Sequence, residues 1–166
     1  MTGYDGRSDE ILHEVYSRNI ARVYRLCYLR LGNREDAEDA SQNVFLRWMK
    51  SGRKFESAEH EKAYFIRAAC NESANMKKNF WRLHRVDLED IPESASAVYD
   101  EHDDGLGLLR FLPPKYREVI YLCYYEEMSG AEIAKLLSRN ESTVRTQLQT
   151  GREILRKALE KKGATE

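Results

Sequence analysis

Apolar residues recur along most of this chain at steps of three and four, the spacing that places side chains on one face of an α-helix. The first such row is formed by Ile11, Leu12, Val15, Tyr16, Ile20, Val23, Tyr24, Cys27 and Leu31. Gly32 predicts the end of this helix, because glycine is favoured just after a helix, and Asn33 is a suitable N-cap for the next. No segment alternates apolar and polar residues as a strand does, so the pattern predicts an all-α fold.

Two further amphipathic helices are predicted in the first half of the chain. The apolar stripe of the first of them consists of Ala37, Ala40, Val44, Phe45, Trp48 and Met49. Ser51-Gly52 marks its end, again because glycine is common just after a helix. The other helix begins near Ser57 and runs past Lys78, and its inward residues are Tyr64, Phe65, Ala68, Ala69 and Met76.

The second half of the chain predicts one helix followed by a helix-turn-helix. Pro113-Pro114 starts the first helix, since proline is favoured in the first helical turn, and its inward residues are Tyr116, Val119, Ile120 and Cys123. Ser129 and Glu132 then form an S-x-x-E capping box, after which Ile133, Leu136 and Leu137 supply a buried stripe. Asn140 caps a last helix that buries Val144 and Leu148 and continues to about Lys162.

The last helix of this motif leaves polar side chains pointing outward. These residues are Ser142, Thr143, Arg145, Thr146 and Gln149. Short polar groups and an arginine on the second helix of a helix-turn-helix can reach base edges and phosphates in a DNA major groove. The alternative is a helical hairpin with an ordinary solvated face that touches no nucleic acid.

Charge is strongly segregated along the chain, although the net charge is only −1. Residues 44–85 carry ten basic and four acidic side chains, whereas residues 86–105 carry eight acidic side chains and no Lys or Arg. The acidic stretch also lacks helical periodicity, which is typical of a linker. We therefore predict two small helical domains, 1–85 and 106–166, joined by a flexible acidic linker at 86–105.

Composition and cysteine usage narrow the class of protein. Cys27, Cys70 and Cys123 are isolated among apolar neighbours, which predicts buried thiols in a reducing compartment. No run approaches the roughly 20 apolar residues that cross a membrane, and the N-terminus lacks the apolar core of a signal peptide. Gly-rich phosphate loops, nucleophile elbows and metal-ligand spacings are also missing from the sequence. We expect a cytoplasmic protein that is not an enzyme and needs neither a cofactor nor a metal.

With these elements placed, the chain resembles bacterial RNA polymerase sigma factors of the extracytoplasmic-function type. Four segments match that family in order. The first two are similar to its polymerase-binding helix and to the helix at the upstream edge of melted promoter DNA, and the last two to its promoter-reading C-terminal domain. They are residues 34–46 (REDAEDASQNVFL), 63–71 with Lys77-Lys78, 112–119 (LPPKYREV) and 132–144 (EIAKLL through Thr143-Val144).

The resemblance implies that one helix face binds core polymerase. Its residues would be Asp36, Asp39, Gln42 and Asn43. Carboxylates and amides on one face suit a basic, arginine-bearing surface, which in the family is a coiled coil in the clamp of the largest subunit. The family also contacts the flap of the second-largest subunit, and an anti-sigma factor is a further partner that the resemblance allows. The alternative for these side chains is a solvated helix face.

The resemblance also implies two promoter contacts. Asn71, Asn75, Lys77 and Lys78 would contact the −10 element, beside a loop at residues 53–62 that captures a flipped base. The adjacent aromatics Phe80 and Trp81 either stack on unpaired bases or close the N-terminal core. The residues that would bind the −35 element are Lys115, Arg117 and Arg152 through phosphates, and Thr143, Arg145, Thr146 and Gln149 in the groove.

Some residues depart from the family pattern. Asn43 stands where the family usually has Glu, and Gln147 where it often has Arg. Arg139 occupies a turn position that is usually apolar, and Gly151 one that is often Ala. The competing hypothesis is a helix-turn-helix regulator that acts without binding core polymerase. Such a regulator would have an effector or dimerisation domain in place of residues 12–85.

Overall fold

The chain folds into two compact helical units, residues Met1–Asp87 and Leu88–Glu166. A computed structural model describes the backbone of residues 6–84 and 106–163 and the side chains of residues 8–80 and 107–163. Within those ranges the regular structure is entirely helical, which confirms the predicted all-α fold. The acidic stretch at 86–105 lies outside the described residues.

The first unit consists of α1 (Gly6–Leu31), α2 (Arg34–Ser51) and α3 (Ala58–His84), and α1 packs against both of the others. Both predicted helix boundaries around α2 are confirmed. Asn33 accepts a hydrogen bond from the backbone N–H of Asp36 at 2.8 Å. Gly52 adopts a left-handed φ of 64° that glycine takes at little cost, and its N–H bonds to Met49 O.

The core of the first unit includes polar residues that the apolar pattern does not predict. Asn19 is fully buried on α1, where its amide donates to Val15 O at 2.8 Å and to Glu61 Oε1 at 2.7 Å. The predicted inward positions of Ile11, Tyr16 and Met49 are wrong, because these side chains are 55%, 44% and 51% exposed. Asn19 can be buried because the two hydrogen bonds satisfy its amide nitrogen.

The second unit contains a 3₁₀ helix (Leu106–Phe111), α4 (Pro114–Tyr124), α5 (Gly130–Leu137) and α6 (Glu141–Gly163). Pro114 lies in the first turn of α4, as predicted. Ser129 caps α5 by accepting from the N–H of Glu132 at 3.1 Å. Helix α6 packs against α4 and α5 and ends within one residue of the predicted position. Among the described residues, no helix is both long and apolar enough to cross a membrane.

Candidate functional site

Helix α6, the recognition helix of the helix-turn-helix, has one buried and one exposed side. Val144 is fully buried and Leu148 is 6% exposed, so both hold α6 against the unit. The five predicted outward positions are all exposed, which confirms their orientation: Ser142, Thr143, Arg145, Thr146 and Gln149. This side of the helix therefore offers hydroxyl, amide and guanidinium groups together to a partner surface.

Two of these outward residues differ in how their polar groups are held. The Nη2 atom of Arg145 lies 3.8 Å from Glu141 Oε1, and the two side chains are 76% and 59% exposed. An exposed ion pair at this distance contributes little, so Arg145 can leave Glu141 at small cost. Thr146 instead donates its hydroxyl hydrogen to Ser142 O at 3.0 Å, which leaves its oxygen as an acceptor.

Arg139, in the turn between α5 and α6, connects the recognition helix to α4. Its Nη1 atom donates to Gln147 Oε1 at 3.1 Å, and its Nη2 atom pairs with Glu118 Oε2 at 3.0 Å. The Glu118 side chain is 7% exposed, so this ion pair is partly shielded from water. The helical pattern does not predict this network. The signal available in the sequence is that Arg139 and Gln147 both depart from the family pattern.

Arg117 does not lie on the surface, contrary to the expectation that it contacts DNA phosphates. The residue is only 6% exposed. Its Nε donates to Leu109 O at 3.1 Å and its Nη2 to Leu112 O at 2.9 Å. The side chain therefore satisfies carbonyl groups at the end of the 3₁₀ helix that precedes α4, and this internal role explains its burial.

The two other predicted phosphate-binding residues are exposed. Lys115 lies in the first turn of α4, with its Nζ atom 4.8 Å from the centre of the Tyr116 ring. Arg152 donates from Nε to the hydroxyl oxygen of Tyr124 at 2.6 Å, and this bond raises the pKa of Arg152 above its ordinary value. The phenol therefore positions the guanidinium of Arg152.

The four residues predicted on one face of α2, Asp36, Asp39, Gln42 and Asn43, are termed the α2 face. All are exposed except Asp36, which is half-buried. Asp36 accepts from Asn33 Nδ2 at 2.7 Å, so it takes part in the cap of α2. Asn43 donates to Glu72 Oε1 on α3 at 3.0 Å. Asp39 and Gln42 are therefore the central exposed polar groups of this face.

Two large apolar side chains continue the α2 face towards the end of the helix. Leu46 is 50% exposed and Met49 is 51% exposed. They follow Gln42 by four and seven residues, the spacing that keeps side chains on one side of a helix. From here on, the α2 face includes Leu46 and Met49. It is polar at one end and apolar at the other, a composition that suits a protein partner.

A cleft of about 440 Å³ opens beside α3, and it is termed the α3 cleft. Three arginines and a histidine line it together with one carboxylate, a tyrosine ring, an amide and small apolar groups. Its lining residues are Val44, Arg47, Arg53, His60, Ala63, Tyr64, Arg67, Ala68, Asn71 and Glu72. Cationic groups beside an aromatic ring can hold a phosphate and a stacked base at the same time.

Aromatic packing fixes the loop on one side of the α3 cleft. Trp48 donates from Nε1 to Arg53 O at 3.0 Å, which ties the start of the loop to α2. Phe55 packs 6.2 Å from the Trp48 ring and 5.3 Å from the Tyr64 ring, centre to centre. The guanidinium of Arg53 lies 5.1 Å from the Tyr64 ring centre, which holds a cation at the mouth of the cleft.

The residues predicted to contact the −10 element are only partly brought together. Asn71 lines the α3 cleft, whereas Asn75, Lys77 and Lys78 are exposed further along α3 and do not line it. Phe80 is 50% exposed, so it does not close the core of the first unit. The side chain of Trp81 lies outside the described residues. In the part of the chain that is described, no cluster of metal-ligating side chains occurs.

Comparison with known proteins assigns each unit to a family. Residues 15–82 match Sigma-70 region 2, and residues 106–155 match Sigma-70, region 4. The chain is 33% identical over 161 residues to the ECF RNA polymerase sigma factor SigE of Mycolicibacterium smegmatis, covering 89% of this chain and 61% of that protein. It is 30% identical over 155 residues to the ECF RNA polymerase sigma factor SigW of Bacillus subtilis, covering 83% of each.

The fold is also shared with a solved structure. The sigma factor RpoE of Bartonella quintana, crystallised with the anti-sigma factor NepR, superposes with a TM-score of 0.67 at 18% identity. The match covers 89% of this chain and 96% of that chain.

Proposed function

Because the chain belongs to the extracytoplasmic-function family of bacterial RNA polymerase sigma factors, we propose that it binds core polymerase and directs promoter-specific transcription initiation. The observation that carries the proposal is the pairing of two units in one chain. One unit has an exposed amphipathic helix face and a basic cleft, and the other a helix-turn-helix with an exposed recognition side. Such a protein acts by binding rather than by catalysis, and it works in the cytoplasm, where its polymerase is.

Core polymerase docks on the α2 face in this proposal. Asp39 and Gln42 are exposed at its centre, and Leu46 and Met49 follow on the same side. Carboxylate and amide groups pair with arginines of the clamp coiled coil of the largest subunit, and the apolar end adds buried area. Asp36 contributes charge while it also completes the cap of α2.

The α3 cleft receives an unpaired base from the −10 element. Its volume of about 440 Å³ accommodates a nucleobase with part of its sugar-phosphate backbone. The Tyr64 ring and the Arg53 guanidinium over it form a surface for stacking, and Arg67 and Asn71 add hydrogen-bond donors. Asn75, Lys77 and Lys78 continue along α3 as contacts for the adjacent backbone phosphates. Extrusion of a base costs free energy. These contacts offset that cost, so the cleft assists promoter melting.

The recognition helix reads the −35 element in the major groove. Arg145 and Gln149 are exposed and long enough to form paired hydrogen bonds with guanine and adenine, respectively. Thr143 and Thr146 add shorter contacts. Lys115 and Arg152 flank this side and bind phosphates, which sets the register of the helix without reading sequence. In the assembled enzyme, the flap of the second-largest subunit holds this unit at the −35 element.

An anti-sigma factor is a further partner in this proposal. The solved sigma factor of similar fold was crystallised with one. The exposed apolar residues of the α2 face give such an inhibitor a surface that overlaps the polymerase site, so inhibitor and polymerase would compete.

Polymerase binding is tested by introducing positive charge on the α2 face. Asp39→Arg combined with Gln42→Arg should weaken the affinity for core polymerase about tenfold or more, because both positions are exposed and neither caps the helix. Glu10→Arg is the matched control, since Glu10 is an exposed acid on α1. Full retention of the double variant on immobilised core enzyme would contradict the proposed docking face. Failure of the parent chain to bind would favour a regulator that acts without polymerase.

A further inference from the structure

The amide of Gln147 has one orientation in the network with Arg139. An arginine side chain carries only donors, so the group that faces Arg139 Nη1 at 3.1 Å must be the amide oxygen. The NH₂ group of Gln147 therefore points away from Arg139. Gln147 lies four residues after the exposed Thr143, and residues at that spacing share one side of a helix.

An ion pair with Glu118 fixes the position of the Arg139 guanidinium. Its Oε2 atom lies 3.0 Å from Arg139 Nη2, and the carboxylate is largely removed from water. A shielded ion pair limits the movement of the guanidinium, because separating the two charges would leave a buried carboxylate without this partner. The ion pair with Glu118 on α4 thus holds the Arg139 guanidinium in place where it contacts Gln147.

We infer that Arg139, anchored by Glu118, turns the oxygen of Gln147 inward and presents its NH₂ group from the recognition helix, so that this position favours a hydrogen-bond acceptor on promoter DNA. This inference rests on the proposed function. A free glutamine can turn its NH₂ group and its oxygen together towards the N6 and N7 atoms of adenine, but the oxygen of Gln147 is turned towards Arg139. The acceptor on DNA is a base edge, as in guanine or the O4 atom of thymine, or a phosphate oxygen.

The same geometry makes the side chains at positions 139 and 147 depend on each other. An arginine at position 147 would bring a second guanidinium against that of Arg139. Glutamine at that position instead offers an acceptor to Arg139. Arg139 and Gln147 are therefore a coupled pair, and Gln147→Arg should be tolerated better when Arg139→Leu is also present.

The donor role is tested with the isosteric variant Gln147→Glu. The new carboxylate keeps an acceptor towards Arg139 but carries no NH₂ group, so the network persists while the donor is lost. The assay is transcription by core polymerase and the full chain from a library randomised in the upstream element. Asn140→Asp is the matched control, because it makes the same amide-to-acid change at an exposed position just before α6 that has no assigned promoter contact.

Two outcomes for Gln147→Glu support the inference and distinguish the acceptor. If the acceptor is a base edge, preference at one position should change by about five- to hundredfold and move towards cytosine, whose N4 group donates. If it is a phosphate, output should fall on all promoters alike with an unchanged preference, because a carboxylate repels phosphate. Output and preference within about twofold of the parent would overturn the donor role.

A second variant tests the role of Arg139 itself. Arg139→Leu should release the amide of Gln147 and relax preference at the same promoter position, with Glu118→Gln added to remove the carboxylate that loses its partner. A preference profile identical to that of the parent would show that Arg139 does not set the contact. A parent chain that gives no polymerase-dependent transcript would overturn the proposed function itself, and this inference with it. An active parent with an indistinguishable Gln147→Glu variant would overturn the inference alone.

Discussion

Asn43 on α2 donates a hydrogen bond of 3.0 Å to the buried carboxylate of Glu72 on α3. Arg47 stands on the other side of that carboxylate, 3.0 Å from Oε2 as an ion pair that is poorly aligned for a hydrogen bond. An amide at position 43 suits this environment because it brings a donor to Glu72. A glutamate at that position would bring a second carboxylate.

We expect Asn43→Glu to destabilise the first unit by about 1–3 kcal/mol, because Glu72 would lose a donor and face a like charge. Gln42→Glu makes the same amide-to-acid change at an exposed neighbouring position and should leave stability nearly unchanged. Urea unfolding of both variants at pH 7 checks this. Equal midpoints for the two variants would show that Asn43 and Glu72 are not coupled.

Arg117→Ala should destabilise the second unit by about 2–4 kcal/mol, since two carbonyl groups lose a charged donor. Lys115→Ala, two residues earlier and exposed, should leave the unfolding midpoint unchanged. It should weaken promoter binding equally for all sequences and reduce the salt dependence, as expected for a phosphate contact. A stable Arg117→Ala protein with weaker DNA binding would restore Arg117 as a DNA contact.

Gly151→Ala should destabilise the second unit by about 1–3 kcal/mol through overpacking. A Cβ atom added at Gly151 would lie 2.8 Å from Ile120 Cγ1, so α4 and α6 could not keep their close approach. Gly163→Ala is the control, because nothing lies within 4 Å of a Cβ atom there. In thermal unfolding, Ile120→Ala should lessen the effect of Gly151→Ala, and purely additive losses would argue against this contact.

The free energy of unfolding of the first unit should fall at low pH, because the Glu61 carboxylate becomes protonated. Its hydrogen bonds from Arg18 lower the pKa of the Glu61 carboxyl, and the bond from Asn19 acts in the same direction. A lowered pKa in the folded state means that the stabilisation is complete above the unfolded pKa of 4.5 and is lost as pH falls below it. Glu61→Gln should therefore lower the free energy of unfolding at pH 7. Between about pH 5 and pH 3, the free energy of unfolding of this variant should decrease less than that of the parent. An unchanged decline, measured by urea unfolding, would exclude Glu61 as its source.

Local signals in the sequence are enough to place most helix ends. Asn33, Gly52 and Ser129 act on the backbone within three residues of their own positions, so their roles are encoded in short segments. The helical spacing likewise places Val144 and Leu148 inward.

The contacts that the sequence does not predict join residues far apart in the chain. Glu118 and Arg139 are separated by 21 positions, and Asn19 and Glu61 by 42. The burial of Arg117 depends on a 3₁₀ helix whose carbonyl groups face α4, and no periodicity indicates that arrangement. For the same reason, a polar residue counted as exposed by its type can prove to be internal.

The proposal that this chain directs initiation is tested most directly by transcription in vitro with purified core polymerase on a randomised promoter library. Core polymerase is assayed with and without the full chain, and transcript 5′ ends are sequenced. We expect the chain to create new start sites preceded by two shared elements at a constant spacing, and Arg145→Ala to relax one position of the upstream element. The same transcripts with and without the chain would contradict the account.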